Sequence, residues 1–458
     1  MKIDKVKLCW SASKGRYLQA TSDLPPDTII IRDPAYAFIG KSPDFCSNCT
    51  GKLDEETSRR FPVCSACSGS DWFQKESKSL VVLCYKIVSR MISEEGFSYK
   101  IFVSRTESDK QADTLSDYLC DYRAVASLCV GDMDINIADI ETVRTNLESI
   151  SGSLSKDELT LIIKHVFSTF QCNLQGYRAL HEDPATGKLS EPRIGSGIYL
   201  TLALLNHSCR PNTRIYFQGT DVVVVTTEAV VAGSELYHNY GPDVLHYPKS
   251  QRQSLLQRQY RFLCNCTACS VRADREVEYS YKCGSCSGPV WMEFGPSKCD
   301  SCGIDLDLLQ YSRSIHSVMG LFDQLHNSPD PQLKLVAALV HEARGLFHKQ
   351  NVEYGNIMDS CSAGYEVRGH WEEAITCGQA SCFVVEKAAG KRSATYAVEL
   401  MKLCLLRVRA GLDGYEEIRT RSSLESDVEF CLVFLESNTL YKLSGLKTLQ
   451  LWRSSRLS

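Results

Sequence analysis

Cysteines at metal-binding spacing are the residues in this 458-residue sequence that most clearly predict chemistry. Two CxxC pairs can place four thiolates around one tetrahedral Zn²⁺, and the sequence contains two such sets. A CxCxxC triplet between them is one ligand short of a closed site, so its fourth ligand must come from elsewhere in the chain. The cysteines are Cys46, Cys49, Cys64 and Cys67 in the first set, Cys264, Cys266 and Cys269 in the triplet, and Cys283, Cys286, Cys299 and Cys302 in the last set.

Clustering decides between metal and disulfides for a chain with 22 cysteines. The amino-terminal residues have no apolar core of a secretory signal, so we expect the protein to remain inside the cell, in the cytoplasm, the nucleus or both. Clustered cysteines in such a protein favour metal sites over disulfides. The other cysteines lie in apolar sequence and are expected to be small buried residues: Cys9, Cys84, Cys120, Cys129, Cys172, Cys361, Cys377, Cys382, Cys404 and Cys431.

Composition excludes several broad classes of protein. The chain is 43% hydrophobic and 23% charged, which is ordinary for folded domains and excludes a mainly disordered chain or a simple coiled coil. Its formal net charge of −4 argues against nucleic acid as a partner. No apolar stretch reaches the roughly 18 to 20 residues that a membrane-spanning helix needs. The length suggests about three domains.

Three further motifs follow one another near the middle of the chain. The first is NHSC at Asn206–Cys209, which taken alone could be a polar cap at the end of a helix or strand. The second is GSELYHNYG at Gly233–Gly241, and the third is QYRFLCNCTAC around the cysteine triplet. In this order they resemble the SET-domain protein-lysine methyltransferases. The resemblance implies that Cys209 is the fourth ligand of the triplet's zinc site.

The amino-terminal sequence resembles the opening strands of the same family. There, a GxG turn lies against S-adenosylmethionine, and the corresponding residues here are Lys14, Gly15, Arg16 and Tyr17. Tyr17 replaces the second glycine, which departs from the family pattern. The stretch Ile194–Tyr199 resembles the small-residue segment before NHSC in the subfamily that carries a MYND zinc insert.

Residues 46–67 lie where that subfamily inserts its MYND module, and Cys67 with Trp72 matches the spacing inside it. A full MYND finger binds two zincs, but Lys75 and Ser79 stand here where a His and a Cys are expected. We therefore expect a reduced module with one zinc, and about three zincs in the whole chain. An apical-complex lysine methyltransferase of protozoan parasites would fit the sequence equally well.

The resemblance also implies roles for individual residues in methyl transfer to lysine. Tyr240 is expected to orient the lysine amine, while Tyr260 and Phe262 are expected to form aromatic walls of the lysine channel. Asn206 and the backbone of His207 are expected to lie along the cofactor. The side chain of His207 could equally be a core histidine that holds the turn. The cofactor-binding set is thus Lys14, Gly15, Arg16, Tyr17, Asn206, His207, Tyr240 and Phe262.

The predicted fold class is α+β, with a SET-type β-fold and pseudoknot, zinc-binding inserts and an all-α, tetratricopeptide-like carboxy-terminal domain. An ordinary helical bundle is the alternative for that last domain. The predicted divisions are amino-terminal SET strands (1–45), a reduced MYND-like module (46–80), a helical insert (81–185), the catalytic core (186–250), a post-SET site with a zinc ribbon (251–303) and the helical domain (304–458).

The predicted substrate is a protein lysine, and the helical domain could bind a protein partner. The zinc ribbon is interpreted as a structural clip, with a docking site as the alternative. Two other functional classes compete with the enzyme. A catalytically weak scaffold would lose Asn206, His207 and Tyr240 first, yet all three are present. A zinc hydrolase needs an open metal position, which four thiolates do not leave. The sequence predicts neither the substrate protein nor the oligomeric state.

Overall fold

The computed structural model of the protein describes most of the chain. The described residues are 4–40, 78–107, 121–132, 134–178, 181–182, 189–190, 193–270, 276–291, 298–328, 332–412, 422–436 and 444–457. The first cysteine set, at Cys46, Cys49, Cys64 and Cys67, lies outside these residues, as does Cys120.

Short strands form the part of the structure that carries the three motifs. Strands β1 to β14 are Val6–Ser11, Gly15–Ala20, Ile29–Asp33, Ala37–Gly40, Leu174–Arg178, His181–Glu182, Leu189–Ser190, Arg193–Ile198, Asn206–His207, Thr213–Gln218, Asp221–Thr226, Tyr237–His238, Tyr281–Lys282 and Pro289–Val290. Two three-stranded sheets have the orders β10-β11-β3 and β4-β8-β5. The pairs β1-β2, β6-β7 and β13-β14 are antiparallel, whereas β9 and β12 pair in parallel.

The two central strands have the sequences that central strands require. All residues of β11 after Asp221 are buried, and the run of four valines from Val222 fits a strand covered on both faces. Strand β8 contains Gly195 and Gly197, because its neighbours approach too closely for larger side chains. A Cβ atom on Gly195 would lie 2.3 Å from the Phe38 ring, and one on Gly197 would lie 3.0 Å from the Tyr199 ring.

Helices make up the insert and the carboxy-terminal region. Helices α1 to α14 are Ser79–Ser93, Tyr99–Glu107, Tyr122–Ala126, Ile137–Leu147, Lys156–Asn173, Lys249–Tyr260, Thr267–Ser270, Leu308–Asn327, Leu333–Leu346, Val352–Glu366, Trp371–Ala389, Ala394–Leu412, Ser422–Glu436 and Ser444–Leu457. The sequence SKDE at residues 155–158 is typical of a capping box, and one begins α5: Ser155 Oγ accepts from the Glu158 backbone N–H, and the Glu158 carboxylate accepts from the Ser155 N–H. The α+β fold class is confirmed.

One apolar core joins the strands to helices α1, α4 and α5, and a second lies among α8 to α14. The two parts touch through Arg392, whose guanidinium donates to Asp27 at 2.7 Å, and through Arg214, which lies 3.9 Å above the Phe434 ring. Among the described residues, no helix combines the length and the apolar character needed to cross a membrane.

Candidate active site and metal centres

Cys209 meets the cysteine triplet, as the family resemblance implies. The sulfur atoms of Cys209, Cys264, Cys266 and Cys269 all lie within 4.8 Å of one another, and we call these four residues the core cluster. Cys209 follows β9, Cys264 and Cys266 lie in the segment between α6 and α7, and Cys269 lies in α7. Three of the four cysteines are buried, and Cys266 is half-buried.

The second described set also converges. Cys283, Cys286, Cys299 and Cys302, which we call the ribbon cluster, lie within 4.8 Å of one another, with two buried and two exposed members. Each CxxC pair forms its own tight turn, closed by hydrogen bonds from the Ser287 N–H to the Cys283 carbonyl and from the Gly303 N–H to the Cys299 carbonyl. Ser287 and Gly303 both have positive φ in these turns.

The sulfur separations fit zinc in both clusters. Zn–S bonds of about 2.3 Å at tetrahedral angles place sulfurs roughly 3.8 Å apart. The Sγ–Sγ distances are 3.6 Å for Cys209–Cys269, 3.8 Å for Cys283–Cys302 and 3.7 Å for Cys286–Cys299. Both clusters could therefore hold a zinc ion, and four thiolates would leave it no open position for water.

The three predicted aromatic residues also come together. The Tyr240 and Tyr260 rings are 4.8 Å apart, and the Phe262 ring stands edge-on to Tyr240 at 6.4 Å. Helix α6 ends at Tyr260, and Arg261 takes a left-handed conformation at φ 62°, which turns the chain toward Phe262. The Tyr240 hydroxyl donates to the Leu205 carbonyl at 2.8 Å, one residue before NHSC. We call the group formed by the rings of Tyr240, Tyr260 and Phe262, beside β9, the slot.

Both tyrosines of the slot keep their protons at neutral pH. Burial raises the pKa of Tyr240 well above its ordinary value and raises the pKa of Tyr260 to about 12. Neither phenol is therefore suited to act as a phenolate base. Tyr240 can donate a hydrogen bond and offer its ring, which are functions of position and not of proton abstraction.

The ring of His207 joins the aromatic slot to the core cluster. Its Nδ1 accepts from the Tyr240 backbone N–H at 3.1 Å, so the proton of the neutral imidazole is on Nε2. Nε2 lies 3.3 Å from Cys209 Sγ and can donate to it. Burial lowers the pKa of His207 to about 4, which keeps the ring neutral. The side chain therefore holds the turn, as one of the two interpretations of the sequence expects.

Arg252 is a further residue at the core cluster that the sequence did not single out. Its side chain is fully buried and donates to Glu276 at 2.8 Å and to Cys269 Sγ at 3.7 Å. An arginine in a polar helix reads as a surface residue, and nothing in its neighbourhood in the sequence indicates burial.

The predicted cofactor turn lies between β1 and β2. Gly15 has φ 69°, a conformation that favours glycine. Lys14 makes an ion pair with Glu235 at 2.6 Å, and its ammonium lies 5.7 Å from the Tyr17 ring centre. The Arg16 guanidinium binds Ser127 in the helical insert. The predicted cofactor-binding residues of this turn therefore make contacts in two different places. Lys14 contacts the segment after β11, whereas Arg16 contacts the helical insert.

The sequence places Glu235 in a motif without assigning it a role. In the structure, side chains from three segments meet at its carboxylate. Its carboxylate receives Lys14, the Asn206 side-chain amide and the Tyr237 hydroxyl. Tyr199 is buried and donates to the Thr220 carbonyl at 2.7 Å.

One expectation about the scattered cysteines is wrong. Cys129 is exposed, and Cys9 and Cys172 are only half-buried. Cys172 Sγ lies 3.8 Å from the carbonyl of Gln259, the residue before Tyr260, and the Asn173 side-chain amide donates to the Cys129 carbonyl at 2.7 Å, so both cysteines lie near Tyr260. Apolar neighbours in the sequence do not bury a residue at the rim of a cleft. The other described members of the set are buried: Cys84, Cys361, Cys377, Cys382, Cys404 and Cys431.

Residues 15–241 match the family model of the SET domain. This range includes the predicted cofactor turn, NHSC and Tyr240, and it ends before the core cluster is complete. The chain therefore contains a SET domain, joined to four-cysteine clusters and a helical carboxy-terminal region.

The chain is also similar to proteins that are named as lysine methyltransferases. The chain is 23% identical to the protein-lysine N-methyltransferase SMYD4 of Homo sapiens over 311 residues, which cover 62% of this chain and 39% of that protein. It is 23% identical to the N-lysine methyltransferase SMYD2 of Mus musculus over 434 residues, covering 88% of this chain and 89% of that protein. The chain is thus similar to the SMYD proteins at low identity, and it spans less than half the length of SMYD4.

A solved structure of the SET domain of LSMT, bound to lysine and AdoHcy, aligns with 57% of this chain and 53% of that chain. The identity is 14% and the TM-score is 0.28. A similarity of this size carries no argument about the geometry of the site.

Proposed function

We propose that the protein transfers a methyl group from S-adenosylmethionine to the side-chain amine of a lysine in a protein substrate. The names of the SMYD4 and SMYD2 relatives support this reaction class, and the SET match supports the fold that it requires. The substrate protein and the number of methyl groups transferred are not part of the proposal.

The observation that carries the proposal is the convergence of residues from distant parts of the chain. The rings of His207 in β9, Tyr240 after β12, and Tyr260 with Phe262 at and after the end of α6 meet in the slot. A slot of this kind can receive a lysine chain, because aromatic faces attract a cation and also remove water from it. Loss of water favours the neutral amine, which is the nucleophile.

The donor sets fit the cofactor. Lys14 offers a cation for a carboxylate, and Asn206 offers an amide beside it. When bound, S-adenosylmethionine supplies an activated methyl on a sulfonium, and a neutral thioether leaves as the amine attacks. The protein's contribution is then to position the two reactants and exclude water.

Tyr240 is proposed as the residue at the reacting atoms. Its backbone N–H is held by His207 and its hydroxyl by the Leu205 carbonyl, so both ends of the residue are anchored. Because the phenol stays protonated, it orients the amine and does not remove its proton. The lysine proton must leave to water before the transfer.

The predicted zinc ions are proposed to be structural. In the core cluster the metal would tie β9 to the segment that carries Tyr260 and Phe262. We also propose that residues 46–67 form a reduced zinc module, that the helical domain binds protein partners, and that the protein works in the cytoplasm, the nucleus or both.

Methyl transfer can be tested with S-adenosylmethionine labelled in its methyl group, using core histones and a cell extract as acceptors. We expect label in protein, located on lysine by mass spectrometry. Tyr240→Phe should lower incorporation by roughly 10²-fold or more while binding S-adenosylhomocysteine within about threefold of the unaltered protein. Tyr247→Phe, an exposed tyrosine outside the slot, is the matched control and should keep full activity.

Two results would contradict the proposal. If Tyr240→Phe incorporates label at the normal rate, Tyr240 has no role in the reaction. Cofactor binding without incorporation into any acceptor would instead favour the scaffold, in which the SET fold binds partners but does not catalyse.

A further inference from the structure

The Glu235 carboxylate collects three donors from three places in the chain. Lys14 Nζ donates to Oε2 at 2.6 Å, the Tyr237 hydroxyl donates to Oε2 at 2.9 Å, and the Asn206 side-chain amide donates to Oε1 at 2.9 Å. The side chain is only 8% exposed, so these donors replace the water that a carboxylate needs.

The contact with Asn206 determines which way its amide faces. An ionised carboxylate only accepts hydrogen bonds, so the Asn206 amide must turn its NH₂ group toward Glu235. Its carbonyl oxygen then faces away and remains able to accept from another group. Glu235 thereby makes Asn206 an acceptor for whatever binds on its other side.

The contact with Lys14 restrains a long side chain that would otherwise be free. The Lys14 side chain is 47% exposed, and such a chain has many rotamers in solution. The ion pair holds its ammonium beside the Asn206 amide, although the two residues belong to distant segments. Binding a ligand through a preset lysine costs less entropy than binding through a free one.

Strand pairing does not need the Glu235 carboxylate. The backbone already joins β2 to this segment through hydrogen bonds from Ala20 N–H to the Ser234 carbonyl and from Leu236 N–H to the Leu18 carbonyl, both 2.9 Å. Burying a carboxylate costs free energy that donors must offset, so backbone pairing alone does not explain why a carboxylate stands here. Its partners indicate what that role is.

We propose that Glu235 is a positioning residue of the cofactor site. It presents the Asn206 carbonyl and the Lys14 ammonium together, as a matched pair for the α-ammonium and α-carboxylate of the cofactor's amino-acid end. This inference rests on the proposed function, because it assumes that the cofactor binds at this turn.

Two probes that differ only in that amino-acid end provide the test. S-adenosylhomocysteine carries it, whereas 5′-methylthioadenosine keeps the adenosine and the sulfur but lacks it. Glu235→Gln places an amide NH₂ among three donors, so it should disturb both Asn206 and Lys14. By calorimetry, we expect its affinity for S-adenosylhomocysteine to fall at least tenfold and its affinity for 5′-methylthioadenosine to change less than twofold.

Glu94→Gln is the matched control variant. Glu94 also receives a tyrosine hydroxyl, from Tyr36 at 2.8 Å, and lies 3.5 Å from Arg90, but it belongs to the helical insert. Its side chain is 17% exposed. This variant should lose stability in a thermal melt without changing the affinity for either probe.

The outcomes separate this inference from the proposed function. If the unaltered protein binds neither probe, the proposed function fails. If it binds both, and Glu235→Gln binds S-adenosylhomocysteine normally or loses both probes equally, the positioning role alone is overturned. Should Glu235→Gln not fold, Glu235→Asp keeps the charge but withdraws it by one methylene. This variant should have a lower affinity for S-adenosylhomocysteine but not for 5′-methylthioadenosine, and unchanged binding of S-adenosylhomocysteine would overturn the positioning role.

Discussion

The core cluster and the ribbon cluster each consist of four cysteines but occupy the structure in different ways. In the ribbon cluster, Cys283 and Cys302 are 19 residues apart, and each pair closes its own turn. In the core cluster, Cys209 and Cys269 are 60 residues apart and come from different elements. The ribbon is a local motif, whereas the core cluster exists only because the whole domain has folded.

Their surroundings differ as well. Among the described residues, the ribbon cluster packs with Val290 and with half-buried Leu306. The core cluster packs against Val244 and Leu256 and also against Val352, Val384 and Ala388 of the helical region. It therefore joins three parts of the protein at one point. A metal at the core cluster would support the site, while a metal at the ribbon cluster would support mainly the ribbon.

The ribbon nevertheless has contacts that favour its interpretation as a structural clip. Tyr281 bridges to Phe347, the Lys282 ammonium donates to the Arg344 carbonyl at 3.1 Å, and the Trp291 indole donates to the Glu276 carbonyl at 2.9 Å. These contacts join the helical region to the segment after the core cluster. They come from the strands of the ribbon and not from its cysteines.

The largest expected effect comes from breaking the core cluster with Cys264→Ser. Structural zinc contributes folding free energy directly, so this variant should lose several kcal/mol of stability and all measurable methyl transfer. Thermal unfolding followed by circular dichroism, together with label incorporation, would measure both losses. A variant that remained stable and active would show that the core cluster does not brace the site.

The next largest effect is expected from His207→Gln, which removes the ring that bridges Cys209 and Tyr240. Glutamine cannot donate and accept at the two ring positions at once, so the Tyr240 backbone should shift. We expect activity to fall on the order of 10²-fold, as small displacements near reacting atoms do, and zinc to leave faster when a chelator is added.

His246→Gln is the control for that variant. His246 is exposed and pairs only locally with Asp243, at 2.8 Å. Its substitution should change neither activity nor the rate of zinc release. Equal effects from the two histidines would mean that the His207 bridge has no special role.

These two clusters also mark how far sequence reasoning reaches. CxxC spacing predicts the ribbon cluster by itself, since its ligands are neighbours along the chain. Cys209 could be assigned to the triplet only through resemblance to a family. The ring contacts of His207 and the burial of Arg252 had no signal at all, because they depend on which distant segments meet.

The same reasoning explains the roles of Glu235 and Cys129. Glu235 stands in a recognised motif, yet its three partners come from different segments and only the fold brings them together. Cys129 has apolar neighbours in the sequence but is exposed at the rim of the slot. Helix ends were predicted better, as the capping box at Ser155 shows, because caps depend on residues within one turn.

A chelator should remove the zinc ions of the two clusters at different times. Two sulfurs of the ribbon cluster are exposed, whereas those of the core cluster are buried or half-buried. A chelator such as 4-(2-pyridylazo)resorcinol should therefore take the ribbon zinc first, with most activity retained, and the core zinc later, together with activity. If activity is lost together with the first zinc released from the unaltered protein, and Cys286→Ser is itself inactive, the order is reversed.

The stability of the protein should depend on pH through Asp33. Its carboxylate accepts hydrogen bonds from the backbone N–H groups of Thr201 and Leu202, just before NHSC. Burial raises its pKa to about 6, from an ordinary value of 3.8. Between these values the folded protein holds a proton that the unfolded chain lacks, so this group's contribution to stability rises as pH falls from about 6 to about 4.

Asp33→Asn should remove that contribution. The difference in unfolding free energy between the unaltered protein and the variant should grow in favour of the unaltered protein as pH falls through this window, by at most about 3 kcal/mol. Urea unfolding at a series of pH values would measure it. A difference that stays constant with pH would mean that Asp33 titrates normally.

The smallest effect is expected from Cys286→Ser in the ribbon cluster. Cys286 is exposed, and its loss removes one ligand from a site whose strands are also held by Tyr281, Lys282 and Trp291. The ribbon should lose its zinc and become easier for a protease to cut, while methyl transfer stays within about twofold of normal. Metal analysis, limited proteolysis and label incorporation would test the three parts separately. Activity lost to the extent seen with Cys264→Ser would mean that the ribbon cluster also transmits its state to the slot, and the contrast between the two clusters would no longer hold.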